Sequence, residues 1–303
     1  MTLYVLTTFQ QFALFVGVVI AVGCVAWSLV IAPRAERLVA ESERAGLVRV
    51  ERGVGSVGLL AASALVGGWL LRGIVQLMAF RDPFVPLGED VSFLLFDVFW
   101  GTVWMGQGAL VILLVPAFAF ARPRVDGEGS GGSWWAAGVL TLAIVASLSL
   151  SSHAMGVESG RPLIVTADAL HLLAAGSWIG SLTLILAVGR RGGRPVYAAQ
   201  LQSFSPVAVA SVTTLTVMGT VLAWTHLVTV SDLWTGTYGR VLSAKVVAAC
   251  VVFALGFLNW RRGLPAVDTA EGAADVHRRA AFEVSVAMGV LLLTAVLVHS
   301  PKP

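Results

Sequence analysis

Apolar residues along this chain gather into long runs, each bounded by charges or turn-forming residues. Eight runs stand out, at roughly 8–32, 53–79, 93–121, 134–152, 167–188, 204–228, 240–260 and 279–299, each near the 20 or so apolar residues that a helix needs to cross a bilayer. The expected fold class is all-α, a polytopic membrane helix bundle with eight transmembrane helices. No Lys or Arg precedes the first run, and the run is longer than the apolar core of a secretory signal, so it is expected to stay as the first helix.

Composition agrees with the pattern. The chain is 57% hydrophobic and 12% charged, whereas water-soluble domains carry about 25% charged residues. A soluble enzyme is excluded. So is a disulfide scaffold, because the two cysteines, Cys24 and Cys250, both fall inside apolar runs. A net charge of +3 does not indicate a nucleic-acid partner here, since 18 of the 20 cations are Arg and most sit in short loops between runs.

Those loops set the expected orientation. Fourteen of the 20 Lys and Arg, among them Arg34, Arg49, Arg122, Arg190, Arg191, Arg261 and Arg278, occupy alternate loops on one side. By the positive-inside rule that side is the cytoplasm. Both termini are then expected on the periplasmic or extracellular side of a bacterial inner (plasma) membrane. This orientation places four of the five imidazoles at the outer face, each on a different helix: His153, His171, His226 and His299. Only His277 is left inside.

The halves echo each other. Residues 1–155 form a first four-helix half and 156–303 a second, expected as parallel repeats about an axis along the membrane normal. His153 and His299 each close the last helix of a half, and Trp100-Gly101 followed by Gln107 matches Tyr238-Gly239 followed by Lys245. A looser echo links Gly67-Gly68-Trp69 to the stretch from Gly219 to Trp224.

Several residues have metal chemistry open to them, each beside an ordinary structural reading. Asp168 and His171 share a helical face and suit a carboxylate that orients a metal-binding imidazole; they equally suit a helix cap at the interface. His153 and Met155 form a His-x-Met element whose imidazole and thioether fit copper, or simply a polar stop after an apolar helix. Met288 and His299 lie on nearly one stripe about 16 Å long. With Met218 and Cys250 near mid-depth, they provide soft steps for Cu(I) through the bilayer, or core filling. Lys245 and Glu283 are ionisable groups within spans, where each costs about 3 kcal/mol to insert and therefore faces a partner or water. Arg72 and Asp97 lie at similar depth, where they can pair across the first half; otherwise Arg72 and Lys245 snorkel outward and Glu283 reaches the inner headgroups. Gly176-Ser177-Trp178-Ile179-Gly180 is a small-xxx-small face suited to close helix packing. No phosphate loop, nucleophile elbow or zinc-protease motif occurs, and no enzymatic activity is expected.

Residues 150–303 resemble the copper resistance protein D (CopD-like) family of bacterial inner-membrane proteins. The resemblance rests on His153-Ala154, Asp168-Ala169-Leu170-His171 with Trp178-Ile179-Gly180, and Thr237-Tyr238-Gly239-Arg240 with Leu242 and Lys245. It continues through Asn259-Trp260-Arg261-Arg262 and Glu283 to Pro301. It implies copper uptake across the inner membrane and copper homeostasis or resistance, in concert with a periplasmic CopC-type copper-binding protein. Fused versions carry a copper-binding domain that is not attached here, so a separate donor is expected.

The leading expectation is a copper permease, with copper as Cu(I) or Cu(II) received by His153, Met155, His171, His226 and His299 and with Asp168 orienting His171. Met218, Lys245, Cys250, Glu283 and Met288 are candidates for the route inward. Two alternatives stand: a b-type cytochrome binding one outer haem through paired His, and a non-transporting subunit that holds copper for assembly of another enzyme.

Overall fold

The computed structural model describes residues 2–122, 131–152, 160–225, 227, 229, 231–267 and 269–300. Among them, eight helices are long and apolar enough to cross a membrane. They are α1 (Leu3–Glu36), α2 (Glu41–Phe80), α3 (Phe99–Ala121), α4 (Gly131–Leu150), α5 (Arg161–Gly192), α6 (Arg194–Trp224), α7 (Thr237–Gly263) and α8 (Ala270–Val298). Each overlaps one expected run, although α3 begins six residues later than expected, at Phe99, and α4, α6 and α8 end earlier, at Leu150, Trp224 and Val298; no strand occurs among the described residues. The helical membrane bundle expected from the apolar pattern is the observed fold. An even number of spans brings both ends of the chain to one face, where the ring of Tyr4 stands edge-on to His299 at 6.4 Å. We call this the terminal face and the opposite one the arginine face.

Several helices outrun their apolar stretches, by the most turns toward the arginine face. α2 begins at Glu41, α6 at Arg194 and α8 at Ala270. At 1.5 Å per residue α2 is about 60 Å long, twice the roughly 30 Å of hydrocarbon. The extra turns pack on one another. Trp27 is fully buried and its indole donates to Gln200 Oε1 at 3.1 Å. Gln200 Nε2 donates in turn to the carbonyls of Gly189 and Val196, and Arg49 Nε donates to the Arg191 carbonyl at 3.3 Å. Hydropathy stops at the first charges, whereas the helices continue because these contacts hold them. α5 and α6 are joined through Gly193 alone, whose φ of 93° is a left-handed conformation that a residue with a Cβ rarely adopts.

α1 and α5 form the centre. In their apolar windows 56% and 61% of residues are buried, against 6% and 11% in α6 and α7. The two helices cross where the Gly176–Gly180 face of α5 meets Val19, Val22 and Gly23 of α1. A Cβ on Gly23 would stand 2.6 Å from Gly180 Cα, one on Gly180 would run into the Val19 carbonyl, and one on Gly176 would stand 2.5 Å from Val22 Cβ. The Ser181 hydroxyl, also at the crossing, donates to the Gly23 carbonyl at 3.3 Å. Lipid tails are as apolar as leucine, so spans associate through close packing and hydrogen bonds rather than the hydrophobic effect. Glycine faces provide that approach.

The helices of the first half pack in sequence: α1 on α2, α2 on α3, α3 on α4. In the second half α5 packs on α6 and α7 on α8, but α6 and α7 do not pack along their length. A local device recurs. α3 is preceded by a short helix, Leu87–Ser92, and a π-turn, Phe93–Asp97; α7 is preceded by the short helix Asp232–Thr235. In both cases the third residue of the long helix, Gly101 or Gly239, lies against a carbonyl of the preceding segment, Leu94 or Asp232.

Gly180→Ala and Gly67→Ala separate contact from propensity. Alanine is favoured in helices by about 1 kcal/mol over glycine, and a Cβ on Gly67 has nothing within 4 Å. Thermal unfolding in detergent is expected to show Gly67→Ala neutral or stabilising and Gly180→Ala destabilising by about 1–3 kcal/mol. Equal melting of the two variants would mean that the crossing is not tight.

Candidate functional site

Three polar clusters lie within the spans. The first closes the first half near the terminal face. Arg72 of α2 donates through Nη1 to Gln107 Oε1 at 2.9 Å and through Nη2 to Ser151 Oγ at 3.1 Å. Gln107 Nε2 donates to the Ser147 carbonyl and to Ser151 Oγ. The guanidinium also lies over the Trp100 ring, 5.8 Å from its centroid. Trp69 and Trp104 stack at 4.5 Å, and each indole donates to the other's backbone carbonyl. The expected Arg72–Asp97 pair does not form: Asp97 is exposed in the π-turn before α3, and Arg72 finds neutral acceptors on α3 and after α4. This cluster is fully engaged and reads as structural.

The second cluster occupies the equivalent level of the second half. Lys245, like Gln107, is the ninth residue of its helix. It is half-buried and interacts electrostatically with both Asp168 and His171 of α5. The helical spacing of Asp168 and His171 thus leads both toward α7. His171 also rests on α6, where it interacts with the Leu215 carbonyl. A Cβ on Gly219 would stand 3.1 Å from its Cε1 and 3.4 Å from its Nδ1. Nδ1 is buried and has no hydrogen-bond partner. A buried ring nitrogen without a partner is a group with ligating capacity to spare. Sequence reasoning took Gly219 only as a repeat echo; its place beneath the imidazole needed the helix packing to be seen.

The other predicted residues are distributed as follows. His153, Met155 and His226 lie outside the described residues. His299 is half-buried, and its Nδ1 lies 2.9 Å from the Ala295 carbonyl. A carbonyl only accepts, so Nδ1 is the donor in this contact. His299 faces Tyr4 of α1 and His171 faces α6. Met218 is half-buried next to Gly219, and Met288 is half-buried against the core. Cys250 is exposed; its position in the sequence indicated depth but not which side of α7 it takes. Among the described residues no group of three or more His, Cys, Asp and Glu is arranged to hold a metal ion.

The third cluster surrounds Glu283 of α8, which is only 2% exposed. Asn259 Nδ2 donates to its Oε2 at 2.7 Å, and the Trp178 indole is its second donor. Both partners sit in π-turns, Gly176–Gly180 of α5 and Asn259–Gly263 of α7. The added residue of a π-turn re-aims side chains, and such turns are frequent at functional sites. Glu283 makes no ion pair among the described residues.

Part of the second half is similar to a known family. Residues 198–298 match the family model of copper resistance protein D. The copper resistance protein D region therefore covers α6 from near its start, all of α7 and all of α8. It includes Tyr238-Gly239-Arg240, Lys245, Asn259 and Glu283. Asp168, His171 and Trp178, which also carried the resemblance, lie outside it on α5 and face it across the packing just described. The chain is a multi-pass membrane protein whose residues 198–298 are similar to copper resistance protein D. No match is found among curated proteins or among solved structures.

Arg72→Met removes two hydrogen bonds from the first cluster and is expected to cost about 1–3 kcal/mol, whereas Asp97→Asn, at an exposed position, is expected to stay within about 0.5 kcal/mol. Unfolding of the two variants in one detergent checks this. Comparable losses would restore Asp97 as the partner of Arg72.

Proposed function

We propose that this protein takes up copper across the bacterial inner membrane, receiving it at the terminal face and contributing to copper homeostasis or resistance. The observation that carries this reading is the unpartnered, buried Nδ1 of His171, on the helix that also carries Asp168 and in electrostatic reach of Lys245, which lies in the stretch similar to copper resistance protein D. The arginine-rich loops favour the arginine face as cytoplasmic and both termini as periplasmic.

In this reading His171 is the ligand at the mouth, and Asp168 balances the Lys245 ammonium so that a cation is admitted. His299 contributes its Nε2; His153, Met155 and His226 belong to the same face by sequence. Imidazole accepts either oxidation state of copper, and thioether favours Cu(I), so Met218 and Met288 suit copper that moves inward as Cu(I). Cys250, being exposed, is left out of that route. The protein acts as a carrier rather than an enzyme, and a periplasmic CopC-type protein is its expected donor.

Copper accumulation in cells, measured by elemental analysis at matched membrane abundance, tests the reading. His171→Ala is expected to reduce uptake to the background of cells without the protein. Gly219→Val, which changes no ligand but presses on the imidazole, is expected to lower it at least about fivefold, as displacement of a positioned group by about 1 Å is enough to do. Wild-type accumulation by both variants would defeat the proposal. Iron instead of copper in the purified protein would favour the haem alternative.

A further inference from the structure

The divergence of α6 from α7 leaves a cavity of about 250 Å³ between them, floored by α5 and α8. It opens sideways, between two helices whose apolar windows are almost wholly on the periphery of the bundle. Its walls are apolar and aromatic. Trp178 and Phe253 pack at 5.5 Å on one side and Phe257 and Trp260 at 5.9 Å on another; Phe204 is buried behind them. Glu283 is the one carboxylate on the lining.

Most polar groups on these walls have spent their donors; the Trp260 indole N–H and the second amide N–H of Asn259 make no hydrogen bond among the described residues. Ser205 Oγ donates to the Leu201 carbonyl at 3.1 Å and Thr213 Oγ to the Val209 carbonyl at 3.0 Å. Asn259 Nδ2 and the Trp178 indole both point at the Glu283 carboxyl. What remains toward the cavity is mainly a set of acceptors, the hydroxyl oxygens of Ser205 and Thr213 and the lone pairs of Glu283, beside the Trp260 indole N–H and one amide N–H of Asn259. Such a site is complementary to a flat apolar molecule that brings its own O–H donor to Glu283. A buried carboxylate without a cation beside it gains from each donor that reaches it.

We propose that this cavity binds a membrane-soluble aromatic diol of the hydroquinone class, its ring between the aromatic side chains and a hydroxyl donating to Glu283. The ligand reaches the site from the hydrocarbon through the gap between α6 and α7. This goes beyond the copper reading and does not depend on it, because neither Asp168, His171 nor His299 lines the cavity.

The test uses the full-length protein in phosphatidylcholine nanodiscs and a tritiated short-tailed hydroquinone held reduced under anaerobic conditions, with binding read by equilibrium dialysis. Saturable binding at one molecule per chain is expected. Glu283→Gln keeps the shape but removes the charge, and should weaken binding about tenfold or more. The oxidised quinone, which has no O–H to donate, should bind less tightly than the hydroquinone. Ala208→Phe, which fills the cavity away from its polar groups, should abolish binding; Val209→Trp, at a more exposed wall position, provides the same test if the first variant melts early. Equal affinity for the oxidised and reduced forms, or unchanged binding by Glu283→Gln, would overturn the proposal. So would complete displacement by an equal concentration of dodecane, which would make the cavity a resting place for acyl chains.

Discussion

The contact between glycine backbones where α1 crosses α5 is the constraint on which the rest of the bundle depends. Inside a bilayer the two helices gain nothing from hiding apolar surface, since the lipid is just as apolar. They gain from dispersion at short range and from the Ser181 to Gly23 hydrogen bond, and both require backbones nearly in contact. α5 carries His171 and Trp178, seven residues apart, or about 10 Å along the axis. The crossing at Gly176–Gly180 thus sets the position of both polar clusters of the second half. The π-turn at the crossing has two effects. It lets the glycines approach, and it turns Trp178 toward Glu283.

The two halves use one local plan for opposite ends. In the first, Trp69 and Trp104 lock α2 to α3, and Gln107 is held by Arg72 and Ser151. In the second, Trp224, the counterpart of Trp69 in the sequence echo, is 81% exposed and meets no partner on α7. Lys245 replaces Gln107 and looks toward a carboxylate and an imidazole. The first half is a closed support. The second half holds the cavity, the acidic side chain and the unpartnered imidazole nitrogen.

The spans were legible because hydrocarbon thickness imposes a length that composition reveals directly, and the Gly176–Gly180 face was legible because close packing demands small residues at fixed spacing. Helix ends were less so. The turns that α2, α6 and α8 add beyond their apolar runs depend on contacts such as Trp27 with Gln200, made across 173 residues of sequence. Partner choice was the least legible. Depth along a helix follows from counting, but rotation does not, so Arg72 was assigned to Asp97 rather than Gln107, and Cys250 was placed by depth with no means of knowing that it is exposed. The Asp168 and His171 spacing anticipated one shared face; the approach of Lys245 and the bed of Gly219 depend on how three helices are turned toward one another.

The single residue that joins α5 to α6 has a consequence for how the protein is made. With only Gly193 between Gly192 and Arg194, the ribosome delivers the two spans without a loop long enough for one to cross and wait for the other. A hairpin this tight enters the membrane as a unit, its tip carrying Arg190, Arg191 and Arg194. The most buried span of the bundle therefore reaches α1 already bound to its neighbour, and the helix that cradles His171 is in place before α7 and α8 have left the ribosome.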